Sequence, residues 1–166
     1  MSYQLDETDR KILSFLVTNA RTPFLEIARE CGISGAAVHQ RVHKLEAAGI
    51  ITGSRMTVKP GALGLNVCAF ISICLSEDNK YPEVIAALKH VPEIVECHFV
   101  TGKSALFVKV YCFDNEHLMG ILINTIQRIP YVISTETMIS LDQSFDREVW
   151  VKDYKNTSFR TVSLSE

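Results

Sequence analysis

Apolar residues recur at helical spacing through the first fifty positions. Ile12, Leu13 and Leu16 form one stripe, with Phe15 and Val17 beside it, and Val38, Val42 and Leu45 repeat the pattern. Asp6 is placed to cap a first helix running to about Asn19, because its carboxylate accepts first-turn amides while Glu7 and Asp9 suit the positive helix end. Thr22-Pro23 predicts a short second helix, with Thr22 as its cap and Pro23 at its first position. Gly32 closes that helix near Cys31 in the left-handed conformation that glycine adopts cheaply. Ile33 alone separates this glycine from Ser34, a strong cap for a third helix ending at Gly49. Two helices joined by so tight a Gly-containing turn have the arrangement of a helix-turn-helix.

Beyond residue 65 the period changes to short β-rich runs separated by two helical stretches. Leu65 to Leu75 reads as a strand so uniformly apolar that burial on both faces is expected. Tyr81-Pro82 starts a helix with Val84, Ile85 and Leu88 inward, and Pro92 follows its end. Val95, Cys97, Phe99 and Thr101 alternate with Glu96, His98 and Val100 as a half-buried strand. Gly102-Lys103 turns the chain, and Ala105 to Tyr111 returns with Leu106, Val108 and Val110 on one face. Asp114 or Asn115 caps a helix carrying Leu118, Met119, Leu122 and Ile126, Pro130 stops it, and a last strand spans Tyr131 to about Leu141.

The fold class is therefore α+β: an N-terminal helix-turn-helix, winged-helix-like, followed by a ferredoxin-like βαββαβ domain. We divide the chain into a helix-turn-helix domain over 1–54, a linker strand over 55–65 around Lys59-Pro60-Gly61, the ferredoxin-like domain over 66–142 and an extension over 143–166. In that extension Val149-Trp150-Val151 suggests a short extra strand, Trp150 is expected to pack on a neighbouring subunit, and residues 154–166 are expected to be poorly ordered. A four-stranded sheet with helices on one face leaves the other face, where Ile73, Phe107 or Ile139 would lie, in need of a partner. Homodimerisation is the physical expectation.

Composition narrows the function classes. At 166 residues, 47% hydrophobic and with a net charge of −2, the chain suits one medium domain or two small ones and excludes a large multidomain enzyme. Its longest apolar stretch, Val67 to Leu75, is broken by Ser72 and falls far short of the ~20 residues that a membrane-spanning helix needs. The first twelve residues mix acids and bases without an apolar core, so a cytoplasmic protein is expected. Cys31, Cys68, Cys74, Cys97 and Cys112 are odd in number and lack a C-x-x-C pair, which points to reduced packing residues.

The charge is unevenly spread. Residues 1–60 carry eight bases and six acids, whereas the rest carries nine bases and thirteen acids. Within 31–60 stand Arg41, Lys44, Arg55 and Lys59 against Glu46 alone, so an acidic chain conceals a basic segment. With Val38, Val42 and Leu45 inward, the third helix turns Ala36, His39, Gln40, His43, Lys44 and Ala47 outward, with Arg41 at the margin. Small at its start and donor-rich beyond, this face suits double-stranded DNA: Ala permits close approach, and Gln, Arg, Lys and His pair with bases or phosphates. Ser34 and Gly35 at the helix start, and Arg55 or Lys59 after it, add candidate backbone contacts. The bland alternative is an ordinary solvated face. His39 and His43, four apart, also have zinc-ligand spacing, but no Glu lies between them in an H-E-x-x-H pattern and no acidic third ligand is near.

The motifs Leu5-Asp6 through Asp9 and Ile12-Leu13, Asn19-Ala20-Arg21, Ile27-Ala28, Gly32-Ile33-Ser34, Val38, Arg41-Val42, Leu45-Glu46, Gly49-Ile50-Ile51 and Gly53 together make a specific pattern. From residue 5 to about 142 the chain resembles the Lrp/AsnC (leucine-responsive and asparagine-operon) family of bacterial and archaeal transcription regulators. The resemblance implies a C-terminal domain that pairs subunits, often further into octamers, and a small-molecule effector site, commonly for amino acids, near the turn between the second and third strands. That site would take in Thr101, Gly102, Lys103 and Ser104, with Thr135 and Thr137 on the last strand. The family pattern there is Thr-Gly, an acidic residue, an aromatic and Asp. Thr101-Gly102-Lys103-Ser104-Ala105 keeps Thr-Gly and lacks both acids, although an ammonium needs an anionic or acceptor-rich partner. Three readings stay open: an amino acid held by backbone and Thr groups, a more anionic ligand favoured by Lys103, or no effector. Lys103 as an ordinary solvated turn residue is slightly preferred.

No cofactor or metal is implied, and membrane attachment is not expected. The leading reading is a homo-oligomeric, sequence-specific transcription regulator; the alternative is a small-molecule-sensing or protein-interaction module of the same fold without specific DNA binding. An enzyme is disfavoured, since the chain has no phosphate loop, nucleophile elbow or metal cluster. Strand alternation also separates Cys97 from Glu96 and His98.

Overall fold

The computed structural model describes residues 3–151. Its described residues form two compact units: the chain up to Met56 together with that from Phe145, and Thr57–Ser144.

The first unit is helical. Asp6 caps α1 (Glu7–Thr18) in a reciprocal box, its side chain accepting the Asp9 N–H while the Asp9 side chain accepts the Asp6 N–H. The second helix, α2 (Phe24–Cys31), begins differently from expectation. Pro23 itself occupies the cap position, and the Thr22 hydroxyl is turned back to donate to the Asn19 carbonyl in the tight link from α1. Gly32 follows with φ 66°, and Ser34 caps α3 (Gly35–Ala47) by accepting the Ala37 N–H. Ile12, Ile27, Ala28, Val38 and Val42 form the shared core, against which Phe15, Leu16 and Phe24 pack.

The linker strand expected over 55–65 is not formed. Residues 52–59 have no regular structure and Pro60–Leu63 make a single 3-10 turn. An extended segment needs a neighbour for its ladder, and this stretch has no strand partner among the described residues, so the winged-helix likeness extends only to the helices. Val149-Trp150-Val151 likewise has no regular structure and is not a strand. Residues 154–166 lie outside the described part.

The second unit runs β1 (Val67–Leu75), α4 (Tyr81–Leu88), β2 (Ile94–Phe99), β3 (Leu106–Cys112), α5 (Asn115–Asn124), β4 (Val132–Ser140), which is the βαββαβ order. The sheet is antiparallel in the order β2-β3-β1-β4. Ala69, Ile71 and Ile73 of β1 and Leu106, Val108 and Val110 of β3 face the helices and join Val84, Leu88, Leu118, Ile121 and Ile126 in one core. Pro82 starts α4 and Asp114 caps α5 by accepting the His117 N–H at 2.7 Å.

Several facing assignments differ from expectation. β1 is fully buried only on alternate residues, because Cys68, Phe70, Ser72 and Cys74 lie on the helix-free face. Ile73 belongs to the core and not to that face; Ile139 pairs with Ala69 and so is also on the helix side, exposed because β4 is an edge. β2 is the other edge and is mostly exposed rather than half-buried. On α5 the buried residues are Leu118 and Ile121, whereas Met119 faces outward. Tyr131, just before β4, has φ 72°, a left-handed conformation unusual for a bulky residue. Its carbonyl accepts the Ser76 N–H at 2.9 Å where the β1–β4 register shifts, and the Lys80 ammonium sits over its ring. The five cysteines are free thiols, and burial pushes the Cys112 thiol up to about 11.

Candidate nucleic-acid interface and effector site

The third helix presents the surface that its sequence spacing implied. Val38, Val42 and Leu45 are buried, and Ala36, His39, Gln40, His43, Lys44 and Ala47 are exposed along the opposite side. Ser34 is exposed at the helix start and Gly35 is half-buried beside it. His39 is partly engaged, its ring meeting the edge of Phe24 at 4.5 Å between centroids, so α2 orients it. Arg55 is exposed in the irregular stretch after α3. Lys11 reinforces the turn by donating its ammonium to the Glu30 carbonyl near the end of α2.

Arg41 is placed differently from its neighbours. Its Nη1 donates to Asp6 Oδ2 at 2.6 Å and to Asp9 Oδ1 at 2.7 Å, so the cation is directed at α1. Asp9 is 1% exposed, and its Oδ2 also accepts the Tyr3 hydroxyl at 3.1 Å. The Asp9 backbone N–H and then the Arg41 guanidinium hold the Asp6 carboxyl below its ordinary range, and the same two carboxylates raise the Arg41 guanidinium. Tyr3, Gln4, Asp6, Asp9, Ala37, Gln40, Arg41 and Lys44 line one open depression. Sequence spacing did not bring Tyr3 and Gln4 to this surface. The signal that existed was Asp9, an acid among apolar neighbours on the inner side of α1.

In the second unit the turn after β2 carries Thr101, Gly102 and Lys103 exposed at its tip and Ser104 half-buried. Cys74 anchors this turn, its thiol donating to the Lys103 carbonyl at 3.5 Å and lying 3.6 Å from Ser104 Oγ. The Ala105 N–H reaches the Ile73 carbonyl, and Ile73 pairs in turn with Thr135. One end of the sheet therefore gathers the turn, Cys74 and Thr135 from three strands. The sides differ: Cys74 and Ser104 share the helix-free face, whereas Thr135 and Thr137, opposite Ile73 and Ile71, are on the helix side. Thr135 Oγ1 accepts from Gln127 Nε2 at 2.9 Å.

His39 and His43 have no third ligand: among the described residues no group of three His, Cys, Asp or Glu is arranged for a metal ion. Glu96 and His98 approach to 3.6 Å on the helix-free face while Cys97, opposite Val108, faces the other way. No described helix is long and apolar enough to cross a membrane.

Comparison with known proteins agrees with both units. Residues 5–46 match the AsnC-type helix-turn-helix domain and residues 68–150 match the Lrp/AsnC ligand binding domain. The chain is 41% identical over 148 residues to the regulatory protein AsnC of Escherichia coli K12, covering 89% of this chain and 97% of that protein. It is 37% identical over 147 residues to the AsnC protein of Haemophilus influenzae, covering 89% and 98%. The solved structure of E. coli AsnC superposes with a TM-score of 0.83, covering 89% of this chain and 99% of that one. A feast or famine regulatory protein from Mycobacterium tuberculosis, solved in complex with L-methionine, is 26% identical with a TM-score of 0.84, covering 90% and 100%. With a capped helix-turn-helix, a ferredoxin-like sheet and these matches across both, the chain belongs to the Lrp/AsnC family and is a DNA-binding transcription regulator.

Proposed function

We propose that this regulator reads duplex DNA with the outward face of α3, assembles through the helix-free face of its sheet, and is modulated by a small molecule at the β2–β3 turn. The observation that carries the DNA reading is the exposed row of His39, Gln40, His43 and Lys44 on a helix whose start is fixed by Gly32 and the Ser34 cap. Gln40 is the candidate for base discrimination, since its amide can pair with adenine in two bonds, and Lys44 for a phosphate. Ala36 permits close approach, and Ser34, Gly35 and Arg55 offer backbone contacts. Quantitative binding to duplexes selected from a random library tests this. Gln40→Ala is expected to cost about 1–3 kcal/mol at one base position, whereas Lys44→Ala weakens all sequences and reduces the salt slope by about 0.9. Unchanged binding in both variants would remove α3 from the interface and favour the module reading.

Assembly is supported by the aromatic character of the helix-free face, where Phe70 and Phe107 stack at 5.7 Å and Tyr111 and Met138 lie beside them. A sheet bare on one side gains by covering such residues with a second copy, and a two-fold pair of α3 helices would read a roughly palindromic site. Pairing of dimers toward an octamer is the further step that the family resemblance suggests. We place the protein in the cytoplasm, where its DNA target would lie. The effector proposal draws on the turn geometry and on the L-methionine complex of the M. tuberculosis relative. An amino acid is the favoured class.

A further inference from the structure

Arg41 lies between the two proposed readers, one residue after Gln40 and three before Lys44, yet its guanidinium is spent on α1. We propose that Arg41 is a positioning residue for DNA discrimination: with Asp6, Asp9 and Tyr3 it forms a charged tie that fixes how α3 lies against α1, and so where Gln40 meets a base. This rests on the reading of α3 as the DNA-contacting helix.

Both oxygens of the Asp9 carboxylate are engaged. Asp9 Oδ1 accepts from Arg41 Nη1, while Oδ2 accepts from the Tyr3 hydroxyl and the Asp6 N–H. No buried side-chain nitrogen or oxygen among the described residues lacks a partner. If Arg41 swung out to a phosphate, the buried Asp9 carboxylate would lose its counter-ion. That loss exceeds what a solvent-exposed ion pair returns. The other anchors of α3, Val38, Val42 and Leu45, are apolar. Packing of that kind sets distance but tolerates sliding, whereas a two-carboxylate bond to one nitrogen is directional. Because Gln40 and Lys44 line the same depression as the tie, a small rotation of α3 moves both readers.

The test compares Arg41→Gln with Asp6→Asn in the full chain, measuring affinity against salt for a duplex selected by the wild-type protein and for its scrambled counterpart. Asn still caps helices well, and Asp6 is the solvent-facing partner of the tie, so the second variant keeps the fold. Thermal melts verify this for both. The substitutions change charge in opposite directions, so a shared effect cannot come from the protein's net field. Expected is a several-fold loss of the selected-over-scrambled ratio in both variants, with the wild-type salt slope on scrambled DNA retained. A slope reduced by about 0.9 in Arg41→Gln, with discrimination intact or affinity raised in Asp6→Asn, would make Arg41 a phosphate contact and overturn the proposal. So would discrimination unchanged in both. If Gln40→Ala and Lys44→Ala leave wild-type binding untouched, the reading of α3 itself fails, a result separate from either pattern.

Discussion

Ser34 accepts the Ala37 N–H through its side-chain oxygen at 3.1 Å, two residues after Gly32 adopts φ 66°. This pair sets both the angle of the turn and the first residue of α3. Ser34→Ala is expected to destabilise the helical unit by about 1 kcal/mol, and Ser34→Asn to restore most of it. Gly32→Ala adds a Cβ that meets no atom within 4 Å, so its cost is conformational alone, about 1–2 kcal/mol. Thermal melts followed by far-UV circular dichroism check all three.

Acid sensitivity follows from Asp6. Its carboxyl is held below the ordinary 3.8 by the Asp9 N–H first and by Arg41 next. A depressed folded pKa contributes stability that is present above the unfolded value and is lost as the pH falls through the folded one. The melting temperature of the helical unit should therefore fall as pH drops below about 4. Asp6→Asn should flatten that part of the profile; an unchanged profile would show that the pair adds nothing to stability.

Much of this was legible in the sequence because local chemistry decided it. The Asp6 and Ser34 caps, the left-handed Gly32 and the split of α3 into buried and exposed sides each depend on residues within one or two turns. The alternation of Leu106, Val108 and Val110 gave the inner face of β3 in the same way. What remained hidden depended on distant partners. Ile73 and Ile139 could be assigned to a face only once the β1 and β4 registers were known. Arg41 looked like one more basic residue on a polar helix until the fold brought Asp9, 32 positions away, within 2.7 Å. Tyr131 at φ 72° had no local sequence signal; it sits where its carbonyl accepts the Ser76 N–H at the irregular end of the β1–β4 ladder.

Phe107 offers a direct test of assembly. It stacks on Phe70 and is only half-buried within the chain, so a charge there harms the free subunit less than a contact between copies. Phe107→Glu is expected to lower the light-scattering mass to that of one 18.6 kDa chain and to remove the concentration dependence of melting. Retention of the wild-type mass would exclude this face as the interface.

Thiol chemistry separates the core of the second unit from its exposed edge. Cys112 is fully buried with its pKa pushed up to about 11, whereas Cys97 is exposed on the edge strand β2. Iodoacetamide at pH 8 should label Cys97 well before Cys112 in the native protein, with Cys112 reacting only on unfolding. Peptide mass analysis over time reads the order directly. Early labelling of Cys112 would mean that the β3 end of the core opens locally.

At the proposed effector turn the sequence keeps Thr101-Gly102 and carries Lys103 and Ala105 where the family pattern has acids, and the structure narrows what that departure does. Lys103 is exposed at the tip, and its contribution to the anchored part of the turn is its backbone carbonyl, which accepts from Cys74. A ligand held by backbone groups and by hydroxyls such as Thr101 and Ser104 would not depend on the Lys103 ammonium. One of the twenty amino acids at about 100 times its dissociation constant should stabilise the native protein by about 2.7 kcal/mol, visible as a raised melting temperature. Lys103→Ala should leave that shift nearly intact, whereas Ser104→Val, which removes the hydroxyl beside Cys74, should reduce it. The opposite pattern, loss of the shift in Lys103→Ala and retention in Ser104→Val, would mean that the ammonium has replaced the missing acids with affinity for an anion. The ligand would then be drawn to the site by its negative charge, and added chloride or phosphate should compete with it.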